Sequence, residues 1–198
     1  VKGLINSGVA ARNISRVITA VSDAILEKVM AFSLRELGPA PKPFAFLIFG
    51  SEGRNEQTLK TDQDNAIVFE DTDEKQMPEV VDYFAQLGDM VCTLLNQAGY
   101  AFCQGEIMAQ NPRWNQPFGV WKDYFSKWIY KAEGEDLLRA SIFFDFRLGY
   151  GEQSFVDGLR EHLYGAIEGW SGFLRHMTEN ALYFKPPLGF FRNFVVES

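Results

Sequence analysis

The hydrophobic pattern of the first fifty residues predicts a long helix followed by a buried strand. Between Gly8 and Leu37, apolar residues recur at steps of three and four, which places them on one face of an amphipathic helix. The segment Gly38–Pro43 contains one glycine and three prolines, and this composition ends a helix and begins extended chain. The run Phe44–Phe49 is apolar at every position. We therefore expect a central strand that is covered on both faces.

The rest of the pattern predicts short strands and further helices. Pro78 suits the first turn of a helix, and Gly99 suits the cap at its end. The expected elements are helical turns within Gly53–Leu59, a strand at Asn65–Glu70, a helix at Pro78–Ala98, a strand at Tyr100–Gln104, an aromatic helix across Trp114–Trp128, a strand-like segment at Ser141–Arg147 and a helical region at Gln153–Tyr183. An aromatic stripe at helical spacing is usually core, so we expect its tryptophans to be largely shielded.

Two polar patterns stand directly after the first predicted strand and at the head of the second. Gly50 and Ser51 end the first apolar run, and Asp62 and Asp64 precede the second. Side chains two residues apart in extended chain point the same way, so the two aspartates would aim their carboxylates at one point. Such a pair is costly unless a cation lies between its members, and Mg²⁺ is the usual cation. The sequence therefore predicts a divalent metal site.

The Gly-Ser segment has the residue types that bind phosphate. Gly50 and Gly53 would let the backbone approach a phosphate group closely, and Ser51 and the guanidinium of Arg54 could donate to its oxygens. A plainer interpretation is that the serine caps a helix, with Glu52 or Arg54 as surface charges. The combination of this segment with the two aspartates favours phosphoryl or nucleotidyl transfer.

Composition narrows the function classes. Of the 198 residues, 46% are apolar and 15% aromatic, enough for a well-buried core. The net charge of −7 disfavours a broad grip on nucleic acid, which needs a basic surface. No apolar stretch has the length of a membrane span. Cys92 and Cys103 lack metal-binding spacing, and we expect two buried free thiols in a cytoplasmic protein. We also expect the chain to be part of a longer protein.

The motifs resemble those of the DNA polymerase beta nucleotidyltransferase superfamily. Within it, the chain is similar to bacterial nucleotidyltransferases related to protein-PII uridylyltransferase, which are often joined to cystathionine-beta-synthase-type (CBS) and cyclic-nucleotide-binding domains. The segments that carry the resemblance are Gly50–Glu56, Thr61–Asn65, Cys103–Trp114 and Asp145–Tyr150.

The resemblance implies an α+β fold, with a small mixed sheet, helices packed on one side of it, and further flanking helices. It divides the chain into an N-terminal helix over residues 1–40, a nucleotidyltransferase-like domain over 41–151 and a helical segment over 152–198. We expect that last segment to begin a truncated helical domain.

The resemblance also assigns roles to residues. Gly50 and Ser51 match the pair that contacts phosphate, while Asp62 and Asp64 match the paired ligands of Mg²⁺, with Mn²⁺ as a possible substitute. A third carboxylate comes from a later strand in this superfamily. Asp145 is the candidate for that metal ligand and catalytic carboxylate.

Two points about the acids stay open on the sequence alone. Asp145 could instead pair with Arg147, and Glu106 competes for the role of third carboxylate because it follows another predicted strand. Gln63 and Asn65 stand where many superfamily members have apolar residues, and we interpret them as signs of a more polar or more open metal site.

We expect a metal-dependent enzyme that moves a nucleoside monophosphate from a nucleoside triphosphate to an acceptor hydroxyl. The acceptor would be a regulatory protein or a small molecule, within a multidomain signalling protein that could form a homodimer. The alternatives are a regulatory module that binds nucleotide without turnover, and a scaffold that docks a partner on its aromatic helix.

Overall fold

The computed structural model describes residues 6–58, 61–130 and 142–168, with the single positions 3, 172, 175, 178 and 182. The predicted helical region that starts at Gln153 is therefore described continuously only as far as residue 168. Ser141, the predicted start of a strand, also lies outside the described residues.

Helices and strands alternate along the described chain much as the pattern predicts. In chain order they are α1 (Ala11–Leu37), β1 (Phe44–Phe49), α2 (Gly50–Gly53), β2 (Asn65–Phe69), α3 (Met77–Gln97), a 3-10 turn (Pro112–Trp114), β3 (Asn115–Pro117), α4 (Phe118–Tyr130), β4 (Phe146–Gly151) and α5 (Gln153–Ile167). The first helix ends before Gly38, whose φ of 85° lies in the left-handed region that favours glycine.

The four strands form one mixed sheet in the order β3-β2-β1-β4. β1 pairs antiparallel with both β2 and β4, whereas β2 and β3 are parallel. This arrangement of a small mixed sheet among helices confirms the expected α+β fold. It also places β1 at the centre, as its wholly apolar sequence predicts.

Helices cover both faces of the sheet, so the expectation of helices on one side is wrong. Ala45, Leu47 and Phe49 of β1 face the side chains of α4 and α5. The alternate residues of the same strand face α1 and α3, where Leu26, Met30 and Phe84 are buried. A six-residue strand that is buried at every position requires a helical layer on each side.

The aromatic residues between Trp114 and Trp128 belong to the core. Trp114 and Trp121 are 7% and 0% exposed, which confirms that these tryptophans are shielded. The Trp121 indole donates to the Ile67 carbonyl at 3.0 Å and so ties α4 to β2. Trp114 lies in the 3-10 turn rather than on α4, but it packs against the same cluster at 4.6 Å from the ring of Phe143.

Two predicted strands are wrong. In the segment Tyr100–Gln104 only Ala101 pairs, in a single bridge with Asp62, because the chain turns at once and the Cys103 amide donates to the Met108 sulfur. In the segment Ser141–Arg147, residues 142–144 are helical and the strand begins only at Phe146. Phe143 is 1% exposed within the aromatic cluster, so packing overrides its preference for a strand.

Among the described residues, no helix combines the length and the apolar character needed to cross a membrane.

Candidate active site

The C-terminal end of β1 and the N-terminal ends of β2 and β4 lie side by side at one end of the sheet. β1 ends at Phe49, which pairs with Phe146 at the start of β4, and its amide donates to the Asp64 carbonyl at 3.0 Å. Asp64 directly precedes β2, and Asp145 directly precedes β4. The two aspartates therefore lie on opposite sides of the end of β1, with backbones two strand spacings, or roughly 10 Å, apart.

A single helical turn, α2, connects β1 to the segment that carries the paired aspartates. It begins at Gly50, with φ of 61°, and not at Gly53 as the pattern predicts. A side-chain Cβ at Gly50 would lie 3.3 Å from the Asp64 carboxylate, and one at Gly53 would clash with the Asp145 carbonyl oxygen. Glycine at these two positions therefore lets both acidic residues lie against the turn.

The structure brings Asp62 and Asp64 together with a third group, the thiol of Cys103. One ligand atom from each of the three residues lies within 4.8 Å of the others. Asp62 is exposed, while Asp64 and Cys103 are half-buried. The bridge between Asp62 and Ala101 carries Cys103 to this point. We call these three residues the acid–thiol cluster.

The environment of the cluster disfavours negative charge on Asp64. Burial raises the pKa of Asp64, a hydrogen bond from the Cys103 thiol opposes that rise, and the neighbouring Asp62 carboxylate adds to it. A bound cation would relieve both the burial and the repulsion. Two carboxylates and a thiol are ligands that divalent cations accept, so the donor set fits a metal ion.

The two cysteines differ in their surroundings, although the sequence gives them the same role. Cys92 is a buried free thiol, as expected, and burial raises its pKa to about 12. Cys103 is also free, but it is only half-buried, so the expectation of a buried thiol is wrong for it, and its sulfur lies within 4.8 Å of carboxylate oxygens of Asp62 and Asp64. Its ligand partners are forty residues away along the chain, a separation that no local spacing rule covers.

Arg54 and Asp145, two predicted site residues, are paired with each other. The Arg54 guanidinium donates to Asp145 at 2.6 Å and to Glu56 at 2.8 Å, and these hydrogen bonds raise the pKa of Arg54. In this arrangement Arg54 directs donors to carboxylates rather than to phosphate. Asp145 is not part of the acid–thiol cluster within the described chain.

Arg147 does not pair with Asp145, the alternative that the sequence left open. Its guanidinium donates to Asp23 of α1 at 2.7 Å and to the Glu52 carbonyl at 3.0 Å. This arginine therefore joins α1, α2 and β4 behind the site.

Glu52 is a site residue that sequence reasoning missed. Burial raises its pKa to about 7, Arg147 opposes the rise, and the Asp23 and Asp64 carboxylates add to it. The sequence suggested a surface charge here because a glutamate next to a glycine gives no periodic signal of burial.

Gln63 and Asn65 have structural roles, and the interpretation that they mark a more polar or more open metal site stays a prediction. They are 2% and 4% exposed. The Gln63 amide donates to the carbonyls of Cys92 and Tyr100, both at 3.0 Å, and Asn65 accepts from the Ala109 amide at 2.8 Å. The two side chains therefore hold the loop that carries Cys103 against β2.

The last two candidate site residues are Ser51 and Glu106. The hydroxyl of half-buried Ser51 makes no hydrogen bond within the described part of the chain, so it is available to a ligand. Glu106, the alternative third carboxylate, is exposed, has φ of 55° and is not in the acid–thiol cluster.

Comparisons with known proteins identify a family. Residues 171–198 match the family model described as a putative nucleotidyltransferase substrate binding domain, and a search of curated proteins gives no match. Residues 1–135, more than half of the chain, match the family model described as putative nucleotidyltransferase DUF294. The chain therefore belongs to the DUF294 family of putative nucleotidyltransferases.

Proposed function

We propose that this protein transfers a nucleoside monophosphate from a nucleoside triphosphate to an acceptor hydroxyl, with a divalent cation at the acid–thiol cluster. The observation that carries the proposal is the position of this cluster beside α2. A Cβ at Gly50 would lie 3.3 Å from the Asp64 carboxylate, so the predicted metal ligands and the predicted phosphate-contacting turn adjoin one another. The family supports nucleotidyl transfer in general.

Asp62 and Asp64 would hold the cation, and their carboxylates favour Mg²⁺ or Mn²⁺ as this cofactor. The bound cation would neutralise negative charge on the phosphates. Cys103 adds a softer ligand, which suits Mn²⁺ or Zn²⁺ better than Mg²⁺. Gly50, Gly53 and the free Ser51 hydroxyl would contact the phosphates of the donor.

The reaction that these residues would position is an in-line displacement at the α-phosphorus. The acceptor oxygen forms a bond to phosphorus, the bond from phosphorus to the bridging oxygen breaks, and pyrophosphate leaves. The hydroxyl proton passes to a base, for which the Asp145 carboxylate is our candidate. Most of the catalysis would come from positioning and from stabilisation of charge.

The substrate assignments rest on the resemblance. A likeness to protein-PII uridylyltransferase suggests UTP as the donor and a hydroxyl of a regulatory protein as the acceptor, with a small molecule as the alternative. CBS or cyclic-nucleotide-binding domains in a longer chain, and a homodimer, belong to the same proposal. The match over residues 171–198 supports a substrate-binding role for those residues.

One contact favours a second candidate, a module that binds nucleotide without turnover. Arg54 and Asp145 are joined at 2.6 Å, and this ion pair occupies both the proposed phosphate donor and the proposed third carboxylate. Before transfer could occur, a phosphate group of the nucleotide would have to replace Asp145 as the partner of the Arg54 guanidinium. A module that only binds nucleotide would keep the pair intact.

The test is incubation of the protein with each α-labelled nucleoside triphosphate, Mg²⁺ or Mn²⁺ and candidate acceptors, with pyrophosphate release as the readout. The double variant Asp62→Asn/Asp64→Asn removes two predicted ligands and should abolish release. Asp157→Asn is the matched control, because this aspartate of α5 is exposed and, among the described residues, accepts a side-chain hydrogen bond from Gln153 alone.

Pyrophosphate release by the wild type that survives in the double variant would contradict the assignment of these ligands. Metal-dependent nucleotide binding without release, with any of the four nucleotides, would favour the non-catalytic module.

A further inference from the structure

A groove lies beside α2, between the N-terminal half of α1 and the segment that follows α2. Its volume is about 680 Å³. The α1 side chains that matter here are Arg12, Arg16 and Thr19, and Arg54 lies on the opposite wall. We call this the arginine groove.

The walls of the groove are held in place by hydrogen bonds. Gln57 directly follows the residues that line the groove opposite α1, and its side-chain amide donates to the Ser22 hydroxyl of α1 at 2.5 Å. Arg147 joins Asp23 of α1 to the backbone of Glu52. The groove is therefore a preformed feature of the fold.

Positive charge in the groove is in excess. The acids in its lining already have partners, since Glu56 pairs with Arg54 at 2.8 Å and Asp23 pairs with Arg147 at 2.7 Å. Arg12 and Arg16 make no ion pair with any residue that the structure describes. Arg54 also pairs with Asp145, so the paired groups comprise two guanidinium groups and three carboxylates, and Arg12 and Arg16 leave one positive charge in excess in a chain with a net charge of −7.

A buried hydroxyl in the same lining lacks a partner among the described residues. Thr19 is 6% exposed, and its Oγ1 makes no hydrogen bond within the part of the chain that the structure describes. A threonine within a helix commonly donates to the carbonyl four residues earlier, as Ser15 does to Ala11. A buried donor without an acceptor costs free energy, and an anion in the groove would supply the acceptor.

The spacing of these groups suits phosphate. Residues 12, 16 and 19 lie on one face of a helix and span about 10 Å along its axis. Guanidinium groups bind phosphate oxygens in pairs of parallel hydrogen bonds. We infer that the arginine groove binds a phosphate group through Arg12, Arg16 and Thr19.

This inference deepens the proposed function and rests on it only for the source of the phosphate. The groove shares Arg54 with the turn that would contact the donor, so the phosphate would be the outer part of the nucleoside triphosphate or a phosphate on the acceptor. Either source presents the same chemistry to Arg12 and Arg16.

The test uses tripolyphosphate, titrated calorimetrically into the full chain without divalent metal. The double variant Arg12→Ala/Arg16→Ala should raise the Kd at least tenfold, because it removes two charged donors. Thr19→Val, which keeps the side-chain shape, should raise the Kd roughly fivefold. Arg35→Ala is the control, because this exposed α1 arginine pairs with Glu36 outside the groove, and it should change the Kd less than twofold.

Equal losses in Arg35→Ala and in the double variant would overturn the inference, because they would indicate general attraction of anions. Absence of tripolyphosphate binding by the wild type would also overturn it. Titrations with UTP, with UMP and with tripolyphosphate in the presence of UTP distinguish the two sources of the phosphate group. If the phosphate belongs to the donor, the double variant weakens UTP binding and leaves UMP binding unchanged. If it belongs to an acceptor, tripolyphosphate binds equally well at saturating UTP.

The variant Asp62→Asn/Asp64→Asn separates this inference from the proposed function. It should bind metal-free tripolyphosphate at least as tightly as the wild type, because it keeps Arg12 and Arg16 and removes two negative charges. If the wild type releases no pyrophosphate while Arg12→Ala/Arg16→Ala still weakens tripolyphosphate binding, the two proposals separate. That result would support the arginine groove as a phosphate site and contradict the proposed nucleotidyl transfer.

Discussion

Replacing Glu52 by glutamine removes a charge that the fold disfavours. Burial raises the pKa of this carboxyl from 4.5 to about 7, and the Asp23 and Asp64 carboxylates add to the rise that Arg147 opposes. The folded state therefore binds the proton more tightly than the unfolded chain. Its stability falls as the pH rises through the window between 4.5 and about 7.

The size of the effect follows from the two pKa values. The cost of ionising Glu52 in the folded state is about 1 kcal/mol at pH 5 and about 3 kcal/mol at pH 8. Glutamine has the same shape and carries no charge at either pH. Relative to wild type, Glu52→Gln should therefore gain about 2 kcal/mol more stability at pH 8 than at pH 5.

Urea unfolding at the two pH values, followed by tryptophan fluorescence, measures this difference, since Trp114 and Trp121 are buried in the folded state. Glu161→Gln is the control, because Glu161 is an exposed acid on α5, and it should give the same change at both pH values. If Glu52→Gln changes the free energy of unfolding equally at pH 5 and pH 8, the carboxyl is not held in a disfavoured environment and the reasoning fails.

Three further substitutions test other parts of the account. Gly53→Ala should cost more than about 1 kcal/mol of unfolding free energy, because its Cβ would clash with the backbone carbonyl of Asp145. Gly165→Ala, at an open position of α5, should be neutral or stabilising. Equal effects of the two variants in thermal unfolding would contradict the geometry of the turn. Asn65→Ala should lower the free energy of unfolding by about 1–3 kcal/mol, because it leaves the Ala109 amide without its acceptor. A loss of Mn²⁺ affinity at unchanged stability would instead indicate that Asn65 belongs to the metal site. Cys103→Ser should weaken inhibition by Zn²⁺ roughly tenfold while activity with Mg²⁺ persists; unchanged Zn²⁺ inhibition would separate the thiol from the metal.

Much of the fold could be predicted because the signals are local. The long helix α1 repeats its apolar positions at helical steps, and its end at Gly38 is encoded by glycine and prolines. β1 matches the predicted bounds, Phe44–Phe49, because a run that is apolar at every position has few alternatives to a central strand. That same pattern implied helices on both faces, and it was a better guide than the family resemblance.

β4 could not be predicted from local preference. Its sequence from Phe146 to Gly151 contains two glycines, which are poor strand formers. Gly149 is required by packing, because a Cβ there would press on Ile48 and Leu26. The strand therefore exists because of contacts that the sequence pattern does not display.

The candidate site was predicted where its residues adjoin in sequence and missed where they do not. Asp62 and Asp64 come together as their spacing suggests, and their role as metal ligands stays a prediction. Cys103 joins them through a single bridge between Asp62 and Ala101. The pairing of Arg54 with Asp145 likewise joins residues 91 positions apart, which depends on the antiparallel pairing of β1 with β4.

The proposed transferase requires Asp62 and Asp64 to hold a divalent cation beside the turn that would contact phosphate. Electron paramagnetic resonance of Mn²⁺, titrated into the protein with a nucleoside triphosphate, measures this binding. We expect a bound Mn²⁺ with phosphorus coupling from the nucleotide, and an affinity roughly tenfold weaker or more in Asp62→Asn/Asp64→Asn. Mn²⁺ that binds the double variant as tightly as the wild type, with the same phosphorus coupling, would contradict it.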